Sequence, residues 1–169
     1  GTENPRALIH EIIGQVIHLA RQVREAEARQ LGGAKQAHPI GNVVLMGMGE
    51  PLANYAATLQ AIETLADPRG YNLGARRFTI STVGIVPAIH RFAAEKNQVN
   101  LAVSLHAAND SLRSRLIPAN RKYPLTDLIP ACREYIETTG RRLTFEWALI
   151  AGVNDTTHDA LELAALVKG

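Results

Sequence analysis

Four short segments of this chain set polar groups at the ends of apolar runs, where they could do chemistry. The first, Gly47-Met48-Gly49-Glu50-Pro51, directly follows Val43-Val44-Leu45-Met46. Two spaced glycines leave backbone amides and carbonyls uncovered, because no Cβ stands in a ligand's way, and Glu50 adds a fixed negative charge. Such a floor suits a small ligand with a cationic group; the plainer alternative is a tight strand-to-loop turn with a solvated glutamate. The second segment, Ser81-Thr82-Val83-Gly84, ends the run Phe78-Thr79-Ile80, and its hydroxyls either cap the next helix or meet a ligand. The third, Ser104-Leu105-His106, closes Leu101-Ala102-Val103 with a hydroxyl and an imidazole, groups equally at home in a hydrogen-bonded framework. The fourth, Gly152-Val153-Asn154-Asp155, reads as a turn followed by a helix N-cap.

Positioning these segments requires alternating strands and helices. Apolar residues at helical spacing (Leu8, Ile12, Val16, Leu19, Val23) predict a helix from about Pro5 to Gln30, with Asn4 and Pro5 at its start. A glycine-rich loop follows over 32–41. Strands are expected at 42–46, 77–81, 99–104 and 143–149, and helices at 55–66, 86–95, 125–138 and 157–167, with a helical turn near 111–116. Strands rich in Val, Ile, Leu and Phe separated by helices call for parallel pairing through right-handed crossovers, hence an α/β fold. Ligands of parallel α/β folds sit at the carboxyl ends of strands, so all four segments should face one mouth. Four βα units of this kind suggest a partial (β/α) barrel, with a doubly wound open sheet as the alternative.

Composition bounds the function. With 169 residues, 46% hydrophobic and 20% charged, the chain is one globular domain or a large piece of one, able to bury roughly 70% of its unfolded surface. It shows no run of ~18 apolar residues and no charged-then-apolar leader, so a soluble, unexported, cytoplasmic protein is expected. The single cysteine, Cys132, cannot form an internal disulfide or a cysteine-ligated cluster, and its helical setting predicts a buried thiol. His10, His18, His90 and His158 lack metal-ligand spacing. A net charge of +2 says little about nucleic acid, but Arg113, Arg115, Arg121 and Lys122 cluster near the expected mouth as either phosphate contacts or a solvated rim. Arg76-Arg77 and Arg141-Arg142 belong to the opposite end.

The strings GMGEPLANY at 47–55, ARRFTISTVG at 75–84, NLAVSLHA at 100–107 and NRKYPL at 120–125, with the run from Gly140 to Asp155, resemble the radical S-adenosylmethionine (SAM) adenine-C2 methyltransferases of 23S rRNA and tRNA, the RlmN/Cfr group. The resemblance runs from about Ile40 onward; the loop around Leu31 to Pro39 looks longer than the family's. It implies SAM contacts at Gly49, Glu50, Ser81, Ser104, Leu105 and His106, with Glu50 facing the ammonium group. It also implies a four-iron four-sulfur cluster served by an electron donor, 23S rRNA and tRNA as substrates, and chemistry in which one SAM donates the methyl group and another is the radical source.

The departures from that pattern shape the expectation as much as the matches. No cysteine precedes the helix at Pro5, and Cys132 stands where neither the cluster ligands nor the methyl-carrying cysteine of the family belong. Residues 1–169 then amount to an incomplete radical SAM barrel core, without an accessory N-terminal domain, a cluster loop, a C-terminal segment or any catalytic or metal-binding residue, and inert alone. Open sheet edges would favour self-association. Methylation at C8 of adenine, a non-catalytic SAM- or RNA-binding module, and a phosphate-binding barrel enzyme remain as alternatives.

Overall fold

The computed structural model describes residues 5–30, 39–47 and 49–168. Asn4, Met48 and most of the loop expected over 32–41 lie outside the described residues.

The chain opens with helix α1 (Pro5–Gln30), and four βα units follow. Strand β1 (Val43–Leu45) leads to α2 (Tyr55–Ala66), β2 (Phe78–Thr82) to α3 (Val86–Ala94), β3 (Asn100–Ser104) to α4 (Asp110–Leu116) and α5 (Leu125–Thr139), and β4 (Leu143–Glu146) to α6 (Thr157–Val167). Three 3-10 turns, Pro51–Asn54, Ala75–Arg77 and Pro118–Arg121, were not legible in the sequence.

All pairs in the sheet are parallel, in the order β1-β2-β3-β4, without the reversal of a doubly wound sheet. Pairing of Leu45 with Ile80, Ile80 with Leu101 and Leu101 with Leu143 lays these side chains on one face. There they join one core with Ile62 and Leu65 of α2, Ile89 and Phe92 of α3, and Leu128 and Tyr135 of α5. One-sided covering by helices is the winding of a (β/α) barrel, whereas a doubly wound sheet carries helices on both faces. The other face bears Val44, Thr79, Ser81, Asn100, Ala102, Ser104, Thr144 and Glu146, mostly small or polar.

Helix ends explain the boundaries. Gly140 closes α5 at φ 64°, its amide donating to the Ile136 carbonyl. Thr156, rather than Asn154 or Asp155, caps α6: its hydroxyl accepts the Asp159 amide while the Asp159 carboxylate accepts the Thr156 amide. In α1 the inward residues are Ile9, Val16 and Ala20, while Leu19 and Val23 of the expected apolar stripe are exposed. The reason is the partner: α1 meets the small residues Ala57 and Ala61 of α2, which seat Ile9. Among the described residues, no helix is long and apolar enough to cross a membrane.

Candidate functional site

A cavity of about 400 Å3 opens at the carboxyl ends of the four strands. Its floor is the turn after β1. Gly47 and Gly49 adopt φ of +106° and +99°, a region that disfavours side chains, and a Cβ built on either meets no atom within 4 Å. The hollow beside them is therefore open, and a side chain would fill it.

Glu50 caps the 3-10 turn. One carboxylate oxygen accepts the Leu52 amide at 3.0 Å and the other accepts the Val83 amide at 2.8 Å, tying the end of β1 to the end of β2. A carboxylate offers about four lone pairs, so these two bonds leave acceptor capacity on the cavity side.

Ser81 and Ser104 converge on a residue that the sequence reading did not single out. The Ser81 hydroxyl donates to Oε2 of Glu146 at 2.5 Å, the Ser104 hydroxyl donates to the same oxygen at 3.2 Å, and the two hydroxyls lie 3.4 Å apart. Sequence reasoning ran the last strand to Leu149, since Trp147 to Ile150 prolong the apolar run. The ladder stops at the Ser104–Glu146 pair because β3 ends there, and this brings Glu146 rather than Ile150 to the strand end. Ser81, Ser104 and Glu146 each follow a three-residue stretch of strand character, Phe78-Thr79-Ile80, Leu101-Ala102-Val103 and Leu143-Thr144-Phe145, but the apolar residues after Glu146 hide the last of these ends.

His106 lines the cavity with φ 56°. Its Nδ1 accepts the Ala148 amide at 3.0 Å, which requires a neutral ring with the proton on Nε2. Burial holds the imidazole below the ordinary histidine range, helped by the Arg113 charge and opposed by Glu146. Leu105 lies behind the wall: its side chain is fully buried in the core, its amide donates to the Glu146 carbonyl and its carbonyl accepts from Arg113.

Two buried polar residues hold these strand ends. Arg113 is wholly buried and donates to the carbonyls of Val83, Ser104 and Leu105 and to Oδ1 of Asn120, at 2.7 to 3.1 Å. It is thus removed from the basic rim in which the sequence placed it; Arg115, Arg121 and Lys122 remain exposed. Burial lowers its pKa to about 10. Asn154 donates to the His106 and Ala148 carbonyls and accepts the Ile150 amide, so the segment read as a turn also brackets the cavity wall. Gly84, at φ +100°, lets β2 run under α5, where a Cβ would stand 2.8 Å from Leu128.

The cavity is acidic. Among the described residues Glu50 and Glu146 are its charged lining residues, no Lys or Arg lines it, and His106 is neutral. A second hollow of about 580 Å3 between α1 and β1 shares Met46, Gly49 and Glu50 but is otherwise largely apolar. Among the described residues, no group of three or more His, Cys, Asp or Glu side chains could hold a metal ion. Cys132 is buried, and burial pushes its thiol up to about 12.

Proteins of known type resemble the chain closely. A probable dual-specificity RNA methyltransferase RlmN of Moorella thermoacetica is 52% identical over 158 residues, covering 94% of this chain and 42% of that protein. The counterpart from Chloroflexus aurantiacus is 49% identical over 158 residues, covering 94% and 41%. The crystal structure of a radical SAM methyltransferase from Sphaerobacter thermophilus matches 93% of this chain and 43% of that chain, with a TM-score of 0.83 and 52% identity. The chain therefore spans less than half the length of these relatives. No family model matches it.

Proposed function

Since the chain belongs, over a partial region, to the RlmN family of dual-specificity RNA methyltransferases, we propose that its strand ends form one wall of a SAM site in a protein that methylates C2 of adenine in 23S rRNA and tRNA. The observation that carries the reading is the cavity itself. Open glycines, two carboxylates and no lining cation among the described residues fit a small ligand of net positive charge, and about 400 Å3 is within the range of cofactor pockets.

In this reading Gly47 and Gly49 admit the methionine end, and Glu50 accepts the α-ammonium group on the lone pairs left by its two backbone bonds. His106 offers Nε2–H as a donor, while Ser81 and Ser104, already donating to Glu146, present oxygen lone pairs. When bound, SAM supplies the methyl group and one-electron chemistry at its sulfonium. The residues of this chain do not fit an iron-sulfur cluster: its one cysteine is buried in α5. They form an incomplete barrel core, with β1 and β4 as open edges suited to self-association, and the chain alone is inert. Arg115, Arg121 and Lys122, on the segments after β3, meet RNA phosphate.

Nucleoside analysis of tRNA and a 23S rRNA fragment treated with the cluster-loaded full-length protein, SAM and a one-electron reductant tests this reading. 2-Methyladenosine is expected in both RNAs and is abolished by Gly49→Val, which closes the floor. Formation of 8-methyladenosine instead would assign the other regiochemistry, and SAM binding unaffected by Gly49→Val would remove the site from this cavity.

A further inference from the structure

We propose that Glu146 is the residue by which this site distinguishes SAM from its product without the sulfonium charge, S-adenosylhomocysteine, by setting a second carboxylate against the sulfonium. The inference rests on the SAM reading above and adds a role for a side chain outside the contacts assigned there.

Glu146 ends β4 opposite Ser104 in the parallel register, on the sheet face turned away from the helices. Its Oε2 is held by two hydroxyl donors, at 2.5 Å from Ser81 and 3.2 Å from Ser104, which fix the carboxylate across three strand ends. No donor among the described residues engages Oε1, and no ion pair among them involves Glu146. The side chain is partly withdrawn from water and lines a cavity that no Lys or Arg among the described residues enters. A carboxylate so placed carries a desolvation cost that a cationic ligand offsets and a neutral one does not.

Geometry matches the charge. Glu50 is anchored on the Val83 amide and Glu146 on the Ser81 hydroxyl, two positions of the same strand end. At about 3.3 Å of rise per residue these anchors stand about 7 Å apart along the chain. The ammonium and sulfonium of SAM are joined by the short methionine chain, so two carboxylates anchored this close together can each face one cationic centre. Loss of the sulfonium charge leaves the Glu50 contact intact and removes the partner of Glu146.

Calorimetric titration of SAM and S-adenosylhomocysteine into the full-length protein tests the assignment, using Glu146→Gln, which keeps shape and hydrogen bonding but removes the charge. The wild type should prefer SAM by about tenfold or more, as a charge-assisted contact implies, and Glu146→Gln should narrow the preference to within about twofold. Equal weakening of both ligands, or an unchanged ratio, would overturn the charge role. Wild-type protein that binds neither ligand would overturn the SAM reading itself. If thermal melting shows Glu146→Gln to be unfolded, Ser104→Ala carries the test: it keeps the charge but frees one side of it, so a reduced ratio supports the role and an unchanged ratio refutes it.

Discussion

Arg113 and Glu146 sit at the same strand ends, one behind the sheet's carboxyl edge and one in front of it, and the difference separates a charge that builds the site from a charge left for a ligand. Arg113 is sealed from solvent and spends its guanidinium on three carbonyls and an amide oxygen. Its planar fork lets it clamp β2 and β3 together just where backbone carbonyls run out of ladder partners. Glu146 has one oxygen engaged by two hydroxyls and remains partly exposed. Satisfied polar groups in the interior rigidify, whereas a half-satisfied one facing a cavity is free to read what enters. The contrast extends to Asn120, which fixes the Arg113 side chain while donating to the Asp110 carboxylate and the Ser114 hydroxyl.

The sharpest way to break the comparison is to remove the inner charge. Arg113→Ala takes the guanidinium from the Val83 and Ser104 carbonyls and Oδ1 of Asn120 in a dry interior, while the Leu105 carbonyl keeps the Ala107 amide, and we expect a loss of about 3–5 kcal/mol of unfolding free energy. Arg113→Lys restores charge but not the fork, so it should recover less than half of that loss. Urea denaturation followed by circular dichroism measures both. A loss below about 1 kcal/mol for Arg113→Ala would mean that the bracket is dispensable.

Most of the fold was legible because its signals are local. The helices at Tyr55–Ala66 and Thr157–Val167 appear at their expected bounds, and three strands lie inside their expected runs while β2 passes its own by one residue, to Thr82. What escaped depends on which face of an element turns inward, and on which neighbour stops a ladder. Arg113 and Arg115 look alike in sequence; the Asn109 cap fixes the phase of the seven-residue α4 so that Arg113 alone points under the strand ends. Likewise Trp147 to Ile150 look like more strand, yet Leu149 is 76% exposed, because β3 offers no further partner beyond Ser104. The site was half legible for the same reason: Glu50, Ser81, Ser104 and His106 line the cavity, while Glu146 was hidden inside a run read as too long and Leu105 belongs to the core.

A smaller effect is expected on the front wall. Asn154→Ala leaves the His106 and Ala148 carbonyls and the Ile150 amide without their side-chain partner, at a cost of about 2–3 kcal/mol. Trp147, the one tryptophan of the chain, donates its indole N–H to the Asn154 carbonyl and so reports on the bracket. Its fluorescence should shift in Asn154→Ala under native conditions but not in Arg113→Lys, whose defect lies behind the sheet. Equal shifts in both would show that front and back are one unit.

The smallest effect is a pH dependence, and it follows from His106. In the folded protein the imidazole is held below the ordinary histidine range, chiefly by burial, and its Nδ1 must stay unprotonated to accept the Ala148 amide. The unfolded chain has no such constraint and takes up a proton near the ordinary value of about 6.5. Below that pH the unfolded state binds more protons than the folded one, so stability is fully present above about 6.5 and declines as the pH falls from there toward the depressed folded value. Replacement by Asn tests the origin, because Asn tolerates a left-handed backbone and can place its amide oxygen near the position of Nδ1. Melting temperatures of His106→Asn should fall less than those of the wild type as the pH is lowered from 7 to 5. A ring that titrates above the free-histidine value in an NMR titration would contradict the sign, and would mean that the Glu146 charge outweighs burial at this site.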